Sequence, residues 1–421
     1  MKEYKLTNII DLIIDRRGVT PKKLKSNWCN SGIPVISAKN VKSGNIINDK
    51  DIKFISEDTY NLWMKESLRI GDVVMTSEAP LGELYLMKSN ASVALGQRLY
   101  GIRFNNNIVD STFMYYYMST SLYQKELSGK SSGTTVFGIR QSELLETKLN
   151  LPDLPTQKKI ADLLSSLDDK IETNNKINQE LEELGQALYT KWFVNFDFPN
   201  EDGKPYKSSG GEMIESELGM IPKGWKVGNI SDVFDFEKGV EPGSSNYTNN
   251  KDDIRFIRVG DMQSTSPEIY VSKDIMEAKK LKYISNKDIT ISLDGTIGKV
   301  FVGNEGCISS GIRVIRLKGY EDMIDYTYLF AKSKYLINSL TGGSSGSIIK
   351  HAGGILNDLK IVHPDTVTLL KFQDLYSGIV ETIIQNRMEN KKLEELRDFL
   401  IPQLMSGNLE IKDIDNTEKE V

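Results

Sequence analysis

Between residues 156 and 193 the apolar positions recur at alternating spacings of three and four. They are Ile160, Leu164, Leu167, Ile171, Ile177, Leu181, Leu184 and Leu188, with a polar gap at Asn174. A roughly seven-residue repeat of this kind predicts one long helix with a narrow, coiled-coil-like seam. Adding 212 to all of these numbers but 177 finds a second stripe at Phe372, Tyr376, Ile379, Ile383, Leu393, Leu396 and Leu400. The polar gap returns as Asn386, and Leu181-Glu182-Glu183-Leu184 returns as Leu393-Glu394-Glu395-Leu396. An ungapped match of this length implies a duplicated unit. Such a stripe needs a partner in water, and the nearest is its own copy, packed antiparallel. Asn174 and Asn386 then have two readings: seam residues that fix register, or interruptions that face solvent.

Upstream of each stripe the apolar runs are short, β-rich and punctuated by Gly, Asn and Ser. Strands are predicted at 32–37, 72–76 and 99–104, and again at 254–257, 288–291 and 312–315. Shorter helical patterns cover 111–127, with its Tyr115-Tyr116-Tyr117 cluster, and 326–340. Those tyrosines either stack on bases or lie in the core. Tyr4 to Leu12 matches Trp225 to Val233 at an offset of 221, which falls to 216 at Asp72 and Asp288 and to 212 at Pro152-Asp153 and Pro364-Asp365. The expected fold is α+β: two similar mixed α/β domains separated by two long helices packed as an antiparallel coiled coil. The domains fall at 1–152 and 222–364, the helices at 153–194 and 365–402, a polar linker at 195–221 and a charged tail at 403–421. Pro152 and Pro155 end the first domain, Thr156 is the expected N-cap, and Pro402 the expected stop of the second helix. The first helix would span roughly 55 Å.

Composition removes several classes. The chain of 421 residues has 39% hydrophobic and 26% charged residues, two cysteines (Cys29, Cys307) and two histidines (His351, His363). That argues against a disulfide framework, a Cys/His zinc site, a signal peptide or a membrane span, and the expected location is the cytoplasm. Phosphate-loop, zincin, nucleophile-elbow and amino-methyltransferase motifs are all missing from the sequence. Asp72 with Glu83, or Asp288 with Lys299, read better as salt-bridged loop residues than as nuclease carboxylates. The net charge of −5 hides a division. Residues 1–152 hold 20 Lys/Arg against 15 Asp/Glu and residues 222–364 hold 19 against 17, so the remaining segments carry a balance of −12 (−5 − 5 − 2). Basic globular parts and acidic connectors suit DNA binding by the former.

The candidate contacts are polar loops that recur. Lys130-Ser131-Ser132-Gly133-Thr134, followed by Arg140, matches Gly343-Ser344-Ser345-Gly346-Ser347, followed by Lys350. Hydroxyls, glycine amides and a nearby cation fit phosphate oxygens, and the other reading is a flexible Gly/Ser loop. Gln97-Arg98 aligns with Ile312-Arg313, and Arg16-Arg17 with Lys238 at a matching turn. Lys39 and Arg258, just beyond the strands at 32–37 and 254–257, complete the set. No catalytic residue and no metal ligand is expected.

The run Leu154-Pro155-Thr156-Gln157-Lys158-Lys159-Ile160-Ala161-Asp162-Leu163-Leu164, then Leu167-Asp168-Asp169-Lys170-Ile171-Glu172, resembles the helix start of specificity subunits of type I restriction–modification systems. Gln186-Ala187-Leu188-Tyr189, Trp192-Phe193, Asp197-Phe198-Pro199 and Ile221-Pro222-Lys223-Gly224-Trp225 extend the likeness over essentially the whole chain. The second helix keeps only part of the Gln-x-x-Ile motif, at Phe372-Gln373. The resemblance implies a non-catalytic subunit whose two target-recognition domains each read half of a split site in double-stranded DNA. The helices would set the half-site distance and dock two methyltransferase subunits, with restriction (motor–nuclease) subunits joining them. S-adenosylmethionine would belong to the methyltransferase partners, ATP and Mg to the restriction subunit, and no cofactor to this chain. The rival readings are a coiled-coil scaffold without sequence-specific DNA binding and an unrecognised DNA-modifying enzyme.

Overall fold

The computed structural model describes the chain except residues 43, 47–51, 134–136, 264–267, 321, 343–353, 355, 357–358 and 412–421. Two units emerge, one of Met1–Asp169 with Leu393–Val421 and the other of Lys170–Lys392.

In the first unit a four-stranded antiparallel sheet runs Ile10–Asp15, Leu99–Phe104, Val73–Thr76, Leu84–Leu86 in spatial order. The second unit repeats it with Phe234–Lys238, Ile312–Leu317, Ile289–Ser292 and Val300–Phe301. Each unit adds a second sheet containing one parallel pair, Ile33–Ile36 beside Ala94–Leu95 and Ile254–Ile257 beside Gly306–Ile308. A two-stranded closure, Lys2–Lys5 with Lys148–Leu151, recurs as Lys226–Asn229 with Lys360–His363. Most sheet positions in the strands Val73–Thr76 and Ile289–Ser292 are buried on both faces, which explains their continuous rather than alternating apolar pattern.

The duplication extends to an ion pair, buried in the first unit and partly buried in the second. Arg103 grips Asp72 with Nε at 2.9 Å and Nη2 at 2.7 Å, and Arg316 grips Asp288 in the same place. The aligned aspartates therefore close the sheet structurally, as salt-bridged loop residues should. Hydrogen bonds correct the alignment of the opening strands. Leu6 N donates to Thr147 O and Ile230 N to Leu359 O, so Leu6 corresponds to Ile230 at an offset of 224 rather than 221.

The first long helix runs Leu154–Tyr189 and ends in a π turn, Thr190–Val194. Its cap is Asp153, whose Oδ1 accepts from Thr156 N at 2.8 Å, and not Thr156. Pro155 lies in the first turn, where its missing N–H has no intrahelical partner to lose. Asp365 caps the second stripe in the same manner, accepting from Thr368 N at 2.8 Å. That stripe is two helices, Thr366–Tyr376 and Ile379–Ser406. Gly378, at φ 99°, supplies the break that an uninterrupted pattern did not announce. The second of them passes through Pro402, because Leu400, Leu404 and Met405 are buried with Ile160, Ala161 and Leu164 in the core of the first unit. The stretch expected as a loop linker also has structure, with a hairpin of Met213–Ser216 and Gly219–Pro222 and Phe198 stacked 5.2 Å from Trp225.

Within each unit the long-helix segments pair antiparallel. In the second unit Asn174 Nδ2 donates to Asn390 Oδ1 (2.9 Å), and Asn386 Nδ2 to Asn178 Oδ1 (2.8 Å). The asparagines therefore occupy the seam, but each bonds to the repeat image of the other's partner rather than to its own copy. Ile177 and Leu184, expected in that seam, are 38% and 52% exposed. The contact face instead follows Ile171, Asn174, Asn178, Leu181 and Gly185, keeping the three–four spacing through the polar positions.

Candidate nucleic-acid interface

At one end of the first unit's larger sheet, three sequence-distant turns meet. Asp15-Arg16-Arg17-Gly18 leaves one strand, Gln97-Arg98 enters the neighbour, and Ser77-Glu78 leaves the third. Together Asp15, Arg17, Gly18, Glu78, Gln97 and Arg98 line an open recess of about 650 Å³. The Gly/Ser loop reaches the same place, since Gly138 bridges to both Ser132 and Glu78 and Ile139 N donates to Ser77 O. Arg17, Gln97, Arg98 and Ser132 are thus gathered at one sheet end that no sequence interval connects.

Their charges are organised by acids. Arg17 contacts Asp15 through Nε and Nη2 (2.7 Å for the latter), while its guanidinium lies 4.2 Å from the Tyr100 ring centre. Burial pushes Asp15 upward, but the hydrogen bonds and charge of Arg17 outweigh it and hold the carboxyl below its ordinary range. Burial raises the Tyr100 phenol to about 12. Arg98 sits in the left-handed region at φ 65° and pairs with Glu78 at 2.9 Å. An arginine held by one carboxylate in water is pre-oriented and still able to exchange that partner for phosphate, because exposed pairs are weak. Arg16 differs, its Nε shielded from solvent without a hydrogen-bond partner. Lys130 follows the helix Ser121–Gly129, Ser131 Oγ donates to Ser128 O, and exposed Arg140 precedes the short helix Gln141–Leu145. Lys39 belongs to a neighbouring recess that Gln97 shares.

The matching sheet end of the second unit differs in detail. Leu293 N bonds to Gly311 O as Ser77 N bonds to Arg98 O, so Arg98 corresponds to Gly311 and not to Arg313. Arg313 sits opposite Lys238 in the strand pair, half-buried, with Nη1 donating to Ser310 O at 2.6 Å. Desolvation lowers its pKa, and its donors are turned to its own strand. Arg258 is clamped by Asp261 at 2.7 Å, a hydrogen bond that raises its pKa. Lys238 is exposed at the strand end. Thr134, Ser344, Ser345, Ser347 and Lys350 lie outside the described residues. Tyr116 and Tyr117 are buried in the core, and Tyr115 is half-buried against it.

Each unit fastens its globular part to the helices through a tyrosine, an acid and an arginine. Tyr116 donates to Asp168 (2.6 Å), which Arg397 also contacts at 2.7 Å. In the second unit Tyr328 donates to Glu182 (2.5 Å), joined by Arg387 at 3.1 Å and by Lys332. Buried Gln157 adds a further tie, accepting from Asp110 N and donating to Pro152 O. Leu369 stands at its repeat position, which is why the second helix departs from the motif. Among the described residues no group of three or more His, Cys, Asp or Glu is placed to hold a metal, and no helix is long and apolar enough to cross a membrane.

The chain thus doubles an α+β unit whose sheet carries a polar end and which is fastened to a helix pair. The model of the type I restriction modification DNA specificity domain matches residues 1–183 and 222–397, and the chain belongs to that family. It is 26% identical to the type I restriction enzyme HindI specificity subunit of Haemophilus influenzae, over 88% of this chain and 94% of that one. It is equally similar, at 26%, to the MjaIX specificity subunit of Methanocaldococcus jannaschii, over 98% and 95%. The fold matches the S subunit of a type I restriction-modification system from M. genitalium, with a TM-score of 0.54, 14% identity and coverage of 96% and 95%. The chain is a specificity subunit, and catalysis in such systems belongs to other subunits.

Proposed function

We propose that this chain directs a type I enzyme to a bipartite DNA target, one half-site read by the globular part of each unit. The observation that supports the reading is the repetition of the four-stranded sheet in both units, with Arg17 and Arg98 at one end of the first and Lys238 at the same end of the second. Domains at 1–152 and 222–364 would read DNA, and the long helices at 153–194 and 365–402 would set the half-site spacing. In the first domain Arg17, Gln97, Arg98, Lys130, Ser132 and Arg140 form the contact set; in the second, Lys238 and Arg258 take that part. Phosphate contacts from such groups position the protein, and amide or guanidinium edges in the major groove specify sequence. The Asn174–Asn390 and Asn178–Asn386 pairs exchange places on adding or subtracting 212, which supports two equivalent docking faces for two methyltransferase subunits. Those subunits would carry S-adenosylmethionine and methylate adenine, while restriction subunits would bring ATP and Mg, with the assembly in the cytoplasm.

The test is co-expression with the methyltransferase subunit and genome-wide mapping of adenine methylation. A split motif present only with this chain supports the reading. A soluble complex that produces no new split motif refutes it and favours a scaffold.

A further inference from the structure

Beside the cation-lined sheet end, the first unit carries a second recess of about 660 Å³, and the two share Gln97. Trp28, 43% exposed, lies on its wall with its ring 6.1 Å from that of Trp63. Lys53 places its ammonium 5.2 Å from the Trp28 ring, and Thr20, Ser37, Lys39 and Asn40 join Gln97 in the polar lining. Trp63 is fixed, its Nε1 donating to Leu95 O at 2.9 Å. Among the described residues that line the recess there is no acid. Two cations, two indoles, two amides and two hydroxyls around a space larger than one base match the chemistry of a nucleotide: an anion joined to a flat, hydrogen-bonding ring.

Among the described residues the second unit lacks this arrangement. Cys29 bridges Phe54 as Thr248 bridges Tyr270, so Tyr247 takes the place of Trp28, and its ring packs 5.6 Å from Phe256. Helices Glu57–Trp63 and Lys273–Lys279 follow matching serine caps, so Lys279 takes the place of Trp63. The recess is therefore a feature of the first reader and not of the shared scaffold.

We propose that the Trp28 recess receives one nucleotide of the first half-site, turned out of the DNA stack and held against Trp28 with Gln97 reading its edge. A paired base shows only its edge in a groove, and to meet an indole within a recess it must leave the stack. Phe137 strengthens the assignment. It is 60% exposed on the loop whose Gly138 pairs with Glu78, at the same sheet end, and an apolar side chain there can fill the gap a departing base leaves.

This inference rests on the half-site reading above. The experiment uses the full chain with its methyltransferase subunit and duplexes carrying both mapped half-sites. The first half-site is scanned with an abasic residue opposite each base in turn. Unpairing the nucleotide that enters the recess should tighten binding by about tenfold. W28A should abolish that gain, W28F should keep it, and any gain at the methylated adenine should be indifferent to both. No position that gains, or a gain unchanged in W28A, overturns the proposal while leaving split methylation intact. Absence of split methylation overturns both. Micromolar binding of free dAMP or dTMP that W28A removes, with no abasic effect on DNA, would make the recess a mononucleotide site and also overturn it.

Discussion

At the residue scale the informative groups are ionised and buried. Asp72 is almost fully enclosed and bonded to two nitrogens of Arg103, so Asp72→Ala leaves a cation without its partner inside the sheet. We expect a loss of roughly 3–5 kcal/mol in chemical denaturation, against little for Lys5→Ala, whose pair with Glu146 is half-exposed on both sides. Glu182 gives a pH signature. Burial opposes its charge, yet Lys332, Tyr328 and Arg387 together hold its carboxyl below the ordinary value. The folded state keeps the carboxylate ionised longer than the unfolded chain does. Its contribution is therefore complete above about pH 5 and is lost as pH falls through the usual carboxylate range and below. The melting-temperature difference between wild type and Glu182→Gln should be largest near pH 7 and shrink towards pH 3; a constant difference would contradict this. Asp72 and Asp288 were legible from the repeat offset. So, in principle, was the seam, because the 212-residue offset also carries Asn178 to Asn390, a repeat that an apolar pattern passes over. Trp28 was not legible: nothing in its polar, irregular surroundings distinguishes an exposed indole on a recess from one in a core.

At the scale of the element, the asparagines of the helix pair make an asymmetric prediction. Asn178→Leu alone leaves the Asn386 amide without its seam partner and should destabilise by roughly 1–3 kcal/mol. Replacing Asn178 and Asn386 together by Leu removes both polar groups and should recover most of that loss, as a double-mutant cycle would show; additive losses would refute the pairing. Gly378→Ala forces a side chain into φ 99° and should cost roughly 1 kcal/mol or more by denaturation. The central strands at 72–76, 99–104, 288–291 and 312–315 and the long helical stripes were evident from periodicity, while the short edge and closing strands were not. The break at Gly378 and the passage through Pro402 were not. An apolar repeat reports which face is buried and carries no record of where the backbone turns, and a helix tolerates proline when packing on the core outweighs one lost hydrogen bond.

For the whole molecule the predictions follow from two readers on one chain. Exchanging residues 1–150 for the equivalent domain of another specificity subunit should change one half-site and leave the other, as methylation mapping would reveal. A change in both would sink the two-reader proposal. Removing the same number of residues from both long helices should alter the half-site spacing and keep both half-site sequences, and an unchanged spacer would contradict the ruler role.

What the sequence determined by itself was the duplication, the two long helical stripes, the mixed α/β class of the repeated part and the absence of catalytic motifs, because each is a matter of order and period along the chain. Only tertiary structure decided which residues meet. The strand pairing moved the opening repeat offset from 221 to 224 and matched Arg98 with Gly311. It also turned Arg313 onto its own strand and brought Gln97 between a cation-lined sheet end and a tryptophan recess. The physical reason is that the register of a sheet is set by hydrogen bonds between segments scores of residues apart, and a shift of one or two positions sends a side chain to the other face or the other end.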